Sequence, residues 1–217
     1  MARASARAEP MADQAYRLLE ERIVTLQIPP GEFLSEYALA VQLGLGRTPI
    51  REALQRLARE GLVVVLPRRG ILVSEADPKE QLLVLEVRRE VERLLSRAAA
   101  SRATKEQRAR FREIAAGMDQ ASRSNDDIAF MRLDRDLNLL VVEAAHNEYA
   151  ARAMRLLQGL SRRFWYQHYK NAADLPLCAR LHAAQARAIA MADREAAAKA
   201  SDRLMDYVES FTRAAAA

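Results

Sequence analysis

At 217 residues the chain is long enough for two domains with separate cores, and half of its residues are hydrophobic, which excludes a disordered polypeptide. No apolar run approaches the roughly 18 residues of a membrane span, residues 1–10 (MARASARAEP) lack the apolar core of a signal peptide, and the single Cys178 excludes an intramolecular disulfide framework. The formal net charge of +5 admits an anionic partner without proving one, so a cytoplasmic, mainly α-helical protein is expected.

Residues 1–11 alternate small and basic types without an apolar stripe and read as a flexible arm. From about Ala12, the residues Tyr16, Leu19, Ile23 and Leu26 fall on one helical face, and Pro29, Pro30 and Gly31 stop that helix. Ser35 caps a second, short helix through about Leu43, with Leu39, Ala40 and Leu43 inward. Gly44 and Gly46 then permit the turn into the stretch GLGRTPIREALQRLAREG, residues 44–61.

Within that stretch Thr48 is the expected N-cap and Pro49 the first helical residue, while Gly61 is placed to end the helix in a left-handed conformation. Ile50, Ala53, Leu54 and Leu57 make one apolar stripe. The other face carries Arg51, Gln55 and Arg59, with Arg47 and Thr48 at the N-terminal tip, the residue types that a recognition helix turns toward base edges and phosphates. After Gly61, the runs LVVVL and GILV flank a Pro67-Arg68-Arg69 turn and predict a β-hairpin. A basic hairpin following a reading helix is a wing: Arg68 and Arg69 supply charge, and Gly70 permits close backbone approach. Arg47, Arg51, Arg56, Arg59, Arg68 and Arg69 stand against only Glu52 and Glu60 here, so the basic excess gathers around the reading helix.

These residues resemble the winged helix-turn-helix of the GntR family of bacterial transcription regulators, with PPGEFLSE, LGLGRTPIREALQRLAREGLV and PRRGILV carrying the likeness. The resemblance places Arg47, Thr48 and Arg51 at the contacts to double-stranded operator DNA and Gly70 at the wing tip. Arg51 is the expected reader of guanine, because its fork matches the O6 and N7 acceptors. Many members carry Arg early in the second helix where this chain has Tyr37, which still donates a hydrogen bond to phosphate but brings no charge.

Residues 12–75 thus form the expected DNA-binding domain and residues 76–217 an all-helical effector-binding and dimerisation domain. Asp77-Pro78 opens a helix to about Ser101, with Leu82, Leu85, Val91 and Leu94 among its apolar positions, and further helices fit 104–122, 126–145, 147–170, 177–192 and 194–214. VLEVRREVE, LDRDLNLLVVEAAHN and LHAAQARAIAMADREAAA resemble the FCD domain, the effector-binding bundle of FadR-like GntR regulators.

Many such domains hold a metal through one Asp and three His. The resemblance puts these positions at Asp134, Asn138, His182 and Leu204, so two of four ligands are replaced. A divalent ion, Zn or Ni, on Asp134 and His182 is one reading; a hydrogen bond between those two side chains without metal is the bland one. In a third, Asp134, Asn138, His182 and Gln185 line a polar effector pocket. Arg88 either pairs with Glu92 on the helix surface or clamps an effector carboxylate. The aromatic run RRFWYQHYK, residues 162–170, is expected in core, dimer packing or pocket wall.

The resulting expectation is a homodimeric, ligand-responsive regulator, a repressor released by a small organic acid. Two rivals stand beside it. Cys178 and His182, four apart on one helix, would be the nucleophile and base of an enzyme, though no oxyanion turn accompanies them. An architectural DNA binder would use the same basic surface without reading bases.

Overall fold

A computed structural model of the chain describes residues 9–172 and 174–215. They fall into two units divided between Glu75 and Ala76. The arm expected over residues 1–11 lies, up to residue 8, outside the described residues; Met11 already belongs to a helix.

The first unit is built on α1 (Met11–Val24), α2 (Glu36–Leu43) and α3 (Arg47–Arg59), with strands β1 (Phe33–Leu34), β2 (Val63–Leu66) and β3 (Gly70–Val73). α1 ends before the prolines expected to stop it: Thr25 closes the helix with its hydroxyl on the Glu21 carbonyl, and Leu26 lies outside it at φ 56°. Ser35 caps α2 by accepting from the Ala38 N–H, and Gly44 ends it in the left-handed region. α3 begins two residues earlier than its sequence suggests. Gly46, not Thr48, is the N-cap, because its extended backbone already lets its carbonyl accept from Ile50.

The end of α3 is a Schellman turn. Leu62 N–H reaches the Leu57 carbonyl at 3.0 Å and Gly61 N–H the Ala58 carbonyl at 3.2 Å, with Gly61 at φ 75°. β2 and β3 then pair antiparallel from Val63 opposite Val73 to Leu66 opposite Gly70. β1 adds to the far edge of β3, giving the order β1-β3-β2, a third strand that two residues are too few to announce in a sequence. Leu19 and Ile23 of α1 and Ile50, Leu54 and Leu57 of α3 are fully enclosed, joined by Leu62 and Val73. Burying one such side chain contributes about 1.5–3 kcal/mol.

The second unit contains α4 (Pro78–Arg102), α5 (Lys105–Ser124), α6 (Asp127–Ala145), α7 (Glu148–Arg155), α8 (Gln158–Ala172), α9 (Leu175–Ala190) and α10 (Arg194–Ala215). Polar caps start them: Asp77 for α4, a Thr104–Gln107 capping box for α5, Asp126 for α6, Asn147 for α7 and Asp174 for α9. Arg108 joins two helix C-termini, donating to the carbonyls of Ala100 and Ile189, each at 3.0 Å.

Two sequence expectations fail here. The single helix over 147–170 is two, because Leu156 and Leu157 bond back three residues, to Ala153 and Met154, and the chain turns at Leu157 without Pro or an intervening Gly to mark it. The apolar stripe of α4 is also misplaced. Of its four expected members only Leu85 is buried, and Leu94 is exposed; the inward face carries Gln81, Arg88, Glu92 and Ser96 together with Leu85, Leu95 and Ala99. Buried polar groups belong inside only when paired, so this face announces a site.

Candidate nucleic-acid interface and ligand pocket

Helical periodicity separates the two faces of α3. Opposite its buried stripe, Arg47, Thr48, Arg51, Gln55 and Arg59 are exposed, as are Arg68, Arg69 and Gly70 at the hairpin and Tyr37 on α2. In the hairpin, Arg68 takes the left-handed conformation at φ 63° and Gly70 follows at φ 105°, which only glycine accommodates without strain. Arg69 N–H closes the turn on the Leu66 carbonyl at 3.0 Å.

Glu36 links α2 to α3. Arg51 donates to it through Nε at 3.0 Å and Nη2 at 2.8 Å, a two-pronged pair, and Arg47 Nη2 lies 4.0 Å away. The Arg51 hydrogen bond holds the Glu36 carboxyl below its ordinary range. Sequence reading missed this partner, since nothing in the spacing of residues 36 and 51 announces it.

Arg56 is not part of the exposed basic surface. Its guanidinium lies 3.5 Å over the Tyr16 ring and donates to Glu60 and Asp13, while Tyr16 donates to Glu60 at 2.7 Å. Burial raises the Glu60 carboxyl above its usual value, against the lowering pull of Tyr16 and Arg56. This cluster ties the reading helix to α1.

In the helical bundle a cavity of about 20 Å³ is lined by Arg88, Phe130, Met131, Asp134, Ser161, Arg162, Trp165, Cys178, His182 and Val208. One water needs roughly 10–15 Å³ measured in this way, so there is room for little more than one. Asp134 is the hub. Its Oδ1 accepts from Asn138 Nδ2 at 3.0 Å and lies 3.1 Å from His182 Nε2; its Oδ2 is 2.8 Å from Arg162 Nε, an ion pair. Arg162 also donates to the Met131 carbonyl at 2.8 Å.

His182 Nδ1 is 2.8 Å from the Cys178 carbonyl, which can only accept, so Nδ1 carries a proton. Facing a carboxylate, Nε2 is a donor too, and the ring is an imidazolium. Burial alone would lower its pKa, but the ring's contacts with Cys178 and the Asp134 carboxylate outweigh that and raise it well above the ordinary value. Burial likewise pushes the Asp134 carboxyl up, yet His182, Arg162 and Arg88 hold it at about 2.

Of the sequence-expected pocket residues, Arg88, Asp134 and His182 meet at the cavity, whereas Asn138 and Gln185 stand behind it. Asn138 braces Asp134. Gln185 donates to Glu92 at 3.2 Å and to Ser96 at 2.9 Å. The Arg88–Glu92 pair at 2.8 Å is buried, not on the helix surface. Ser161 was missed, because its role depends on how α8 packs, while Arg162 and Trp165 belong to the run 162–170 expected in core, dimer packing or pocket wall.

The donor set does not fit a metal. Leu204, at the fourth ligand position, is 0% exposed and packs with Leu85, Met205 and Val208. Asn138 points its amide donor at Asp134, and a guanidinium already holds the second carboxylate oxygen. Among the described residues no three His, Cys, Asp or Glu side chains gather at metal-binding spacing.

Comparison with known proteins decides the family. Residues 83–207 match the FCD domain, and residues 11–73 match the bacterial regulatory proteins of the gntR family. The chain is a GntR-family regulator with an FCD domain. The HTH-type transcriptional repressor RspR of Escherichia coli is 27% identical over 211 residues, covering 94% of this chain and 90% of its own. An HTH-type regulator in an unstable DNA locus of Streptomyces ambofaciens is 49% identical over 63 residues, 29% of this chain and 27% of that protein. The match to an Agrobacterium vitis HTH-type regulator also spans only about half of that relative, 49%. In fold the chain is similar to E. coli McbR/YncC, with a TM-score of 0.77, 20% identity and coverage of 91% of this chain and 94% of the other.

GntR regulators bind operator DNA through the N-terminal domain and an effector through the FCD domain, and the family is not enzymatic. The Cys178–His182 geometry agrees. Nδ1, the nitrogen 3.7 Å from the thiol sulfur, donates to a backbone carbonyl and has no lone pair with which to take the thiol proton. No described helix is long and apolar enough to cross a membrane.

Proposed function

We propose that this GntR regulator is a homodimeric repressor, acting in the cytoplasm, that reads a short operator with two copies of α3 and leaves it when a small organic acid enters the FCD cavity. Base and phosphate contacts fall to Arg47, Thr48, Arg51 and Gln55, with Arg68, Arg69 and Gly70 in the wing and Tyr37 as an uncharged phosphate contact. Arg88, Asp134 and His182 face the effector; Asn138 and Gln185 orient them. The observation that carries this reading is Arg51: exposed, fork-shaped, and held in place by Glu36 at the opening of the reading helix.

For the dimer, Leu83, Val87 and Leu94 form an exposed apolar stripe on α4 that suits a second copy. The repressing mode is supported by the name of RspR, with which the chain aligns over nearly its whole length. The test is fluorescence anisotropy on an operator selected from random duplexes. Arg51→Ala should lower the preference for that operator over random DNA roughly 10- to 100-fold. Equal weakening on both would identify an architectural binder that contacts backbone only.

A further inference from the structure

The likeness to metal-holding FCD domains and the side chains gathered around Asp134 disagree, and the disagreement has a chemical reading. Arg162 brings a permanent positive charge to 2.8 Å from Asp134 Oδ2, on the carboxylate that would be the first metal ligand. Leu204 offers no donor, and Asn138 turns its donor side inward. A dication here would sit against a guanidinium with only His182 as a second firm ligand.

The same cavity holds donors without acceptors. Arg88 is buried and gives its Nε to Glu92 at 2.8 Å, but its two terminal amino groups have no acceptor among the described residues. Trp165 is also buried in the cavity wall, and its indole N–H has no acceptor among the described residues. A buried donor such as the Trp165 indole calls for a partner, and Arg88 and Trp165 lie on different helices around one cavity. The rest of the lining is largely apolar: Phe130, Met131 and Val208, with the Trp165 ring itself 4.8 Å from that of Phe130.

We infer that Arg162 takes the place of the metal, and that the cavity binds, without any metal, a monocarboxylic acid with an aliphatic or aromatic body. The carboxylate accepts from the Arg88 amino groups and the Trp165 indole; the body lies along Phe130, Met131 and Val208. A second carboxylate would meet, apart from the Ser161 hydroxyl, apolar walls or cations already paired with Glu92 and Asp134. Because the present cavity holds about 20 Å³, an acid of several carbons enters only by moving the lining helices, which is how its arrival would be felt elsewhere in the bundle. This inference rests on the reading of the FCD bundle as the effector domain.

Trp165 is the chain's single tryptophan, so its fluorescence reports the cavity alone. The experiment titrates the full-length, EDTA-treated and desalted chain with hexanoate by Trp165 emission and with benzoate by calorimetry. Benzamide and succinate serve as controls, and each titration is repeated after adding Zn²⁺ or Ni²⁺. Expected are saturable binding of at least one monocarboxylate without metal, affinity changed less than twofold by either ion, and at least tenfold weaker binding of the controls. Arg88→Lys, which keeps the charge but loses the fork, should weaken binding about tenfold.

Binding that appears only after metal is restored overturns the metal-free pocket and leaves the effector reading standing. If neither acid binds with or without metal, while the chain still selects its operator, the monocarboxylate class is overturned. Succinate binding as tightly as the monocarboxylates also overturns it. A chain that binds the acids but selects no DNA fails the regulator reading instead. The wild-type comparison requires no variant to fold.

Discussion

Arg51 has two competing partners, the Glu36 carboxylate in the free protein and an operator base in the complex. The pair is solvent-exposed and screened by salt, so Glu36 orients the guanidinium at little cost to its transfer. Replacing it by Glu36→Gln should free Arg51 and remove a negative charge facing phosphates. Affinity for random duplex DNA then rises a few-fold at fixed salt in an anisotropy titration, while operator preference declines. Unchanged affinity would mean that Glu36 does not restrain Arg51.

In the bundle, His182 sits among Asp134, Arg88, Arg162 and Cys178. Its folded pKa is raised, so its stabilising contribution is fully present below the unfolded value of about 6.5 and is lost as pH rises through the higher folded value. The urea midpoint of the bundle should therefore fall above about pH 6.5, where the wild type begins to lose this contribution. His182→Gln should flatten that slope, and equal slopes in the two proteins would contradict the imidazolium assignment.

Elements show why some boundaries are legible and others are not. Caps and C-terminal glycines are local chemistry: Ser35 and Asp77 start helices where their side chains meet the first N–H groups, and Gly61 ends α3 because only glycine accepts φ 75° cheaply. Gly61→Ala should cost about 1–2 kcal/mol, seen as a lower urea midpoint of the DNA-binding unit. The break between α7 and α8 has no such marker. Leu156 and Leu157 are good helix formers, so periodicity runs straight through the turn there. The α4 stripe misleads for a related reason: hydrophobic periodicity cannot recognise an inward face that carries Gln81, Arg88, Glu92 and Ser96.

Across the whole molecule, two units with separate cores predict unfolding that departs from a single two-state transition. Leu57→Ala, fully buried in the first unit, should cost about 2–5 kcal/mol. Phe164→Ala, buried in the second, should cost about 3–5 kcal/mol. Scanning calorimetry should show each substitution lowering one transition and leaving the other in place. Both transitions moving together would mean that the units unfold as one.

Sequence alone determined the helical class, the winged helix-turn-helix with its exposed Arg47, Arg51 and Gln55, and three of the cavity's polar residues, Arg88, Asp134 and His182. These follow from spacing, capping and motif, which are written along the chain. Tertiary structure decided the partners. That Arg56 turns to Tyr16, Arg51 to Glu36 and Arg162 to Asp134 depends on which helices meet and at what distance, between residues 40 and 28 positions apart in the first and last pairs and, for Arg51, across a turn. Spacing along one helix records which side chains share its face, but not which side chain the neighbouring helix places against them.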